Sequence, residues 1–146
     1  MTTDNPRTIR VDQFLPHPPE KVWRALTEPD LIARWLMPSD FKLEIGHRFT
    51  FRGSPMPPAG FGGTGHSEVL YFEPEKMLRI AWRAAPDDPS TLDSTVTFTL
   101  EPEGDGTRLF LAHEGFSPGD PYQSAARRIM SGGWQPALAS IDAALS

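Results

Sequence analysis

Three consecutive stretches of this chain alternate apolar and polar residues with a period of two, and nothing else in the sequence restricts the fold as tightly. In "MLRIAWRA", Leu78, Ile80 and Trp82 oppose Arg79, Ala81 and Arg83. In "STVTFTLE", Val96, Phe98 and Leu100 oppose Thr95, Thr97 and Thr99. In "TRLFLAHEGF", Leu109, Leu111 and His113 oppose Arg108, Phe110, Ala112 and Glu114. Successive side chains of a strand point to opposite faces, so each stretch reads as a strand with one apolar face. "APDDPS" and "PEGDG" separate them as turns, the second a hairpin in which Asp105-Gly106 tolerates positive φ. An antiparallel sheet built this way needs cover on one face only.

Further strands precede them. "RTIRVDQFL" sets Ile9 and Val11 against Arg10 and Asp12, "HRFTFRG" sets His47, Phe49 and Phe51 against Arg48, Thr50 and Arg52, and "HSEVLYFE" ends at Pro74. The chain order reads as one strand, two short helices and about six further antiparallel strands, a sheet of about seven. Between the first and second lie two short helices. Pro18-Pro19 opens one, because proline has no N–H to leave unpaired in the first turn. Val22, Trp23 and Leu26 form its apolar stripe, and Pro29 ends it. "DLIARWL" is the second, with Asp30 as N-cap, Leu31 and Trp35 as the inward pair, and Pro38 as the stop. The cover must come from the C-terminus. From about Pro121, Ala126, Met130, Gly133, Trp134, Ala137, Leu138, Ile141 and Leu145 follow a helical period. Gly132, Gly133 and Pro136 interrupt this stripe, and Pro136 cannot donate to the carbonyl of Gly132, so a kink is expected there. The class is α+β: a curved antiparallel sheet wrapped on one long helix, with the two short helices as the end wall of a cup. The 146 residues suit a single domain, 1–146.

Composition narrows the function. The formal charge is −5, and the longest basic cluster is Arg127-Arg128, so no nucleic acid or anionic membrane surface is expected as partner. There is no cysteine, which removes thiolate nucleophiles, thiolate metal sites and disulfides. The start lacks an apolar signal core and no window approaches a membrane span, so a cytoplasmic location is expected.

Four phrases, "PPEKVWRALTEPDLIARWL", "EPEKMLRIAW", "STVTFTLEPEGDGTRLFLAHEGF" and "GGWQPALASI", resemble in order the bacterial relatives of the activator of the heat-shock protein 90 ATPase. That family lies within the START/Bet v 1-like (SRPBCC) superfamily. The resemblance implies a helix-grip fold. It also implies a range of functions, from lipid carriers and cyclases to chaperone regulators, because fold alone does not fix function. The chain departs from its relatives at Gly46-His47-Arg48-Phe49, where they often carry Gly-Gly before a phenylalanine strand, and in the proline-heavy loop from Ser54 to Gly63.

No complete catalytic set is present, so no catalytic residue is assigned and enzymatic activity is left open. His66 and Glu68 share one strand face and form a candidate polar pair, either in acid/base work or as two metal ligands with His47 as a third. Two ligands do not make a site, so no bound metal and no cofactor is expected. His113 and Glu114 are strand neighbours on opposite faces and cannot act as a pair. "GFGGTG" precedes a strand rather than a helix N-terminus and is no phosphate cradle. Its loop reads instead as a flap, with Met56 and Phe61 at a cavity mouth. Trp23 and Trp35 read as core. Trp82, Phe98, Leu111, His113, Met130 and Trp134 are the candidate lining of a cavity between sheet and long helix, with His113 as a polar anchor. The leading expectation is a binding protein for a small hydrophobic ligand. The alternatives are a cyclase- or hydrolase-type enzyme using His66, Glu68 or His113, and a chaperone-ATPase regulatory module.

Overall fold

A computed structural model describes residues 7–53, 64–83, 93–117 and 119–146. The order of elements is β1 (Thr8–Leu15), α1 (Pro19–Thr27), α2 (Pro29–Trp35), β2 (Arg48–Arg52), β3 (Thr64–Glu73), β4 (Met77–Arg83), β5 (Asp93–Glu103), β6 (Gly106–Glu114) and α3 (Pro121–Leu145). The fold is α+β, as expected. The described strands form one antiparallel sheet of six, in the order β1-β6-β5-β4-β3-β2. β2 to β6 follow one another across the sheet, and α1 and α2 carry the chain from the β1 edge to the β2 edge.

The count is six rather than about seven. The stretch after α2 makes only an isolated bridge, Ser39↔Phe51. The Asp40 carboxylate, not a backbone carbonyl, takes the Thr50 N–H at 2.6 Å and the Thr50 hydroxyl at 3.1 Å. Those bonds, the Thr50 N–H first, hold the Asp40 carboxyl below its usual pKa.

Period-two alternation sets the register. Leu78, Ile80, Trp82, Val96, Phe98, Leu100, Leu109 and Leu111 are all buried. Arg79 on the other face reaches Thr97 Oγ1, and Arg108 pairs with Asp12 at 2.7 Å and Glu103 at 2.9 Å. β3 departs from strict alternation: the register shifts between Val69 and Tyr71, so Leu70 is the extra residue of a bulge. The bulge brings Phe72 opposite Leu78 and within 6.5 Å of the Trp23 ring, and leaves Tyr71 exposed.

Three local expectations are corrected. The N-cap of α2 is Glu28, in extended conformation, with Pro29 as the first helical residue and Asp30 in the first turn. The inward pair of α2 is Ile32 and Trp35 rather than Leu31 and Trp35. In the β5–β6 hairpin the positive φ of +57° belongs to Gly104, while Gly106 already pairs with Glu103. Gly106 serves close approach: a Cβ there would sit 2.4 Å from the Leu15 carbonyl oxygen and 2.7 Å from the Phe14 ring.

α3 starts where Asp120 Oδ1 accepts the Gln123 N–H at 3.2 Å. It runs without a break in assignment through Gly132, Gly133 and Pro136 to Leu145. Side chains pin it along β1. Arg127 Nη2 donates to the Thr8 carbonyl at 3.2 Å and Gln135 Nε2 to the Asp12 carbonyl at 2.9 Å. His17 Nε2 meets Asp142 Oδ1 at 2.7 Å. The core lies between this helix, the two short helices and the inner face of the sheet. No helix of the described residues is long and apolar enough to cross a membrane.

Candidate functional site

The inner sheet face is more aromatic than any other part of the molecule. Ring contacts run from Phe49 to Phe51 at 5.3 Å, Phe51 to Trp82 at 5.0 Å and Trp82 to Trp134 at 5.4 Å. Most meet at steep angles, the arrangement that sets ring edges against faces. Where this chain of rings reaches the solvent, α2, β2, β4 and α3 surround an open cleft of about 300 Å³. Trp35, Leu36 and Met37 supply one wall from the end of α2, and Gly53 and Trp82 supply the floor from the sheet. Ile129, Met130, Gly133, Trp134 and Ala137 supply the other wall, on successive turns of one face of α3. Among the described residues, no ionisable side chain lines it.

Two of the three indoles have their polar edge turned to the interior. Trp35 Nε1 donates to the Ala25 carbonyl at 2.7 Å, and Trp134 Nε1 donates to His113 Nδ1 at 3.0 Å. They therefore offer the cleft apolar surface. Met37 and Met130 add unbranched, polarizable side chains that adapt to the shape of a guest.

His113 is fully buried behind Trp134. Its ring lies 4.7 Å from Phe116, 5.8 Å from Trp82 and 5.9 Å from Trp134. Its Nε2 meets Ser94 Oγ at 2.7 Å, and Ser94 Oγ donates to the Trp82 carbonyl at 2.7 Å. Burial among these rings pushes the His113 pKa down to about 3, so the imidazole is neutral at physiological pH.

The residues singled out from sequence divide three ways. Trp82, Met130 and Trp134 come together at the cleft. Phe98, Leu111 and His113 lie behind it in packed core, Phe98 with its ring 6.3 Å from Trp134 and 6.2 Å from Trp35. His66 and Glu68 stand on the opposite sheet face, because Gly65, Ser67 and Val69 take the inward positions of β3. Glu68 there is 3.6 Å from both Arg48 and Arg83. Among the described residues no cluster of three or more His, Asp or Glu is placed to hold a metal. Met56 and Phe61, assigned to a flap, lie outside the described residues. Trp35, read as core, is core and also supplies a wall of the cleft. Leu36, Met37, Gly53 and Ile129 were not singled out, and Ala137 was placed on the apolar stripe of α3 but not in the lining. Helical spacing back from Gly133 would have found Ile129, four residues earlier, whereas the α2 and β2 residues meet α3 only in three dimensions.

Two other recesses are of different character. One of about 290 Å³ lies on the outer sheet face, among Arg10, Asp12, Thr97 and Thr99. One of about 500 Å³ lies on another flank of α3 and is polar, with Ser117, Ser124, Arg127, Arg128 and Ser131. Of these three recesses, the cleft is the one that combines an apolar wall with convergence of four elements.

Comparison with known proteins places this geometry in context. A family model described as "Activator of Hsp90 ATPase homolog 1-like protein" matches residues 16–146. Among solved structures, protein MLL2253 from Mesorhizobium loti is 41% identical with a TM-score of 0.82, the match covering 95% of this chain and 96% of that one. CalU16 from Micromonospora echinospora is 28% identical with a TM-score of 0.71, covering 95% of this chain and 76% of that one. The Aha1 dimer from Colwellia psychrerythraea, 21% identical with a TM-score of 0.70 over 94% of this chain and 95% of that one, shares the fold. A search of curated proteins returned no match.

Proposed function

Since the chain belongs to the Activator of Hsp90 ATPase homolog 1-like family, with its helix-grip fold, we propose that it binds a small, neutral, apolar molecule in the cleft between α2, the sheet and α3. One observation carries this reading: an open recess of about 300 Å³ walled by three tryptophans and two methionines, with no ionisable side chain among the described residues that line it. Such a wall gives affinity through apolar burial. A charged guest would lose its hydration there and find no counter-charge, so neutral guests are favoured. His113, the hydrogen-bond partner of Trp134, has both its nitrogens engaged. A role on a chaperone ATPase, which the family's description suggests, is the competing reading.

Titration with N-phenyl-1-naphthylamine, a neutral apolar fluorophore, tests the proposal. Binding in the micromolar range with quenching of tryptophan emission supports it. Trp134→Ala should alter that binding more than Trp23→Ala, both variants being checked for fold by circular dichroism. No binding by the folded protein, together with co-purification of a chaperone, would transfer the assignment to the competing reading.

A further inference from the structure

The two tryptophans that meet at the cleft, Trp82 and Trp134, are tied from behind by one directional chain of hydrogen bonds. An indole N–H can only donate, so His113 Nδ1, 3.0 Å from Trp134 Nε1, must accept. A neutral imidazole that accepts at Nδ1 carries its proton on Nε2, which then donates to Ser94 Oγ at 2.7 Å. The Ser94 hydroxyl passes its own hydrogen to the Trp82 carbonyl, also at 2.7 Å. The first donor thus fixes the direction of every later bond. Each polar atom of the chain is served and none carries charge.

Core packing alone does not call for this arrangement. A leucine at position 113 and a phenylalanine at position 134 would fill the volume without bringing three ring nitrogens into an aromatic interior. What the chain adds is orientation. The Trp134 ring has solid neighbours in Trp82, Phe98 and His113. Towards the cleft it has space, since it lines the open recess of about 300 Å³ beside Gly133. An indole without an inward acceptor would gain by tilting that way, because its N–H would then reach water.

We infer that His113 is a positioning residue: by accepting the Trp134 indole N–H, and by holding the β4 backbone at Trp82 through Ser94, it keeps Trp134 folded back and the cleft open. The effect on ligand affinity rests on the cleft being a ligand site. The hold on Trp134 does not, and is measured separately.

The experiment compares three substitutions in the full chain. His113→Leu removes both bonds. His113→Asn places an amide oxygen where Nδ1 stands and so keeps an acceptor for Trp134. His113→Gln reaches Ser94 but offers Trp134 nothing. The first readout is hydrogen exchange of the Trp134 indole N–H in ¹⁵N-labelled protein, with the emission maximum beside it. Leu and Gln should speed that exchange at least about tenfold and shift emission to the red, while Asn stays within about threefold of wild type. The second readout is N-phenyl-1-naphthylamine affinity, which should weaken about tenfold in Leu and Gln and recover in Asn. Equal behaviour of Asn and Gln, or unchanged exchange in both, overturns the inference. Should wild type fail to bind the probe, the ligand reading fails, and the exchange data alone decide whether His113 holds Trp134. Should His113→Leu fail to fold, the Asn and Gln pair makes the same comparison.

Discussion

The indole N–H of Trp35 donates to the carbonyl oxygen of Ala25 across 2.7 Å of buried space. In a continuing helix that carbonyl would receive the N–H of residue 29, but residue 29 is proline and Glu28 has already turned to extended conformation. The short helix α1 therefore ends with a carbonyl that its own backbone cannot serve, and a tryptophan from the next helix serves it. This is why two clipped helices separated by a Pro-Asp step can form a rigid end wall.

Replacing Trp35 by phenylalanine is expected to destabilise the fold by more than Trp23→Phe does. Both changes trade an indole for a phenyl ring on the same pair of helices, and Trp23 makes no indole hydrogen bond among the described residues. The difference isolates the orphaned Ala25 carbonyl, worth about 1–3 kcal/mol. Urea denaturation of the two variants measures it. Equal losses would show that the bond contributes nothing beyond packing.

Most of the sheet was legible because its code is local. Leu78, Ile80 and Trp82 announce their face by alternation, and α3 confirms it by covering them. The bulge at Leu70 was not legible: "EVLYF" reads equally well in either phase, and pairing with β4 chooses. The partial cavity lining has a similar cause. His113 could be placed inward from its strand, and Trp134 inward from its helix. That the two meet nitrogen to nitrogen depends on how α3 is rotated over the sheet, which no local pattern encodes. The α2 wall of the cleft was not recognised as lining because burial and lining look alike in a sequence: Trp35, correctly read as core, does both.

Gly106→Ala should be strongly destabilising. The added Cβ would lie 2.4 Å from a backbone oxygen, that of Leu15, which cannot move without dragging the end of β1. A loss above about 2 kcal/mol is expected, on the scale of overpacking in a tight core. Thermal unfolding reports it directly, and a shift in melting temperature below about 2 °C would mean that the β1–β6 edge yields instead.

His113 sets an acid limit on stability. Its pKa is near 3 in the fold against an ordinary 6.5, so above about pH 6.5 neither folded nor unfolded chain binds its proton. Between those values the unfolded chain takes up a proton that the fold excludes. Stability is therefore complete above the unfolded pKa and falls as the pH drops towards 3, by about 1.4 kcal/mol per pH unit from this residue alone. His113→Asn should remove one proton from the pH dependence of unfolding free energy measured from pH 7 to 4. An unaltered slope would show that another group carries the acid limb.

Gly132 and Gly133 give a paired test of the cleft that does not depend on loss of stability. A Cβ at either position meets no atom within 4 Å, and both lie inside α3, where glycine is disfavoured relative to leucine by nearly 1 kcal/mol. Leucine at either site should therefore leave stability unchanged or raise it by about that amount. Their effects on binding should differ. Gly133 lines the cleft with Met130, Trp134 and Ala137, whereas Gly132 lines the polar recess on another flank of the helix. Gly133→Leu puts an isobutyl group into a space of about 300 Å³ and should weaken N-phenyl-1-naphthylamine binding at least about tenfold, with Gly132→Leu close to wild type. Equal affinities in the two variants would place the probe elsewhere on the protein and remove the cleft as its site.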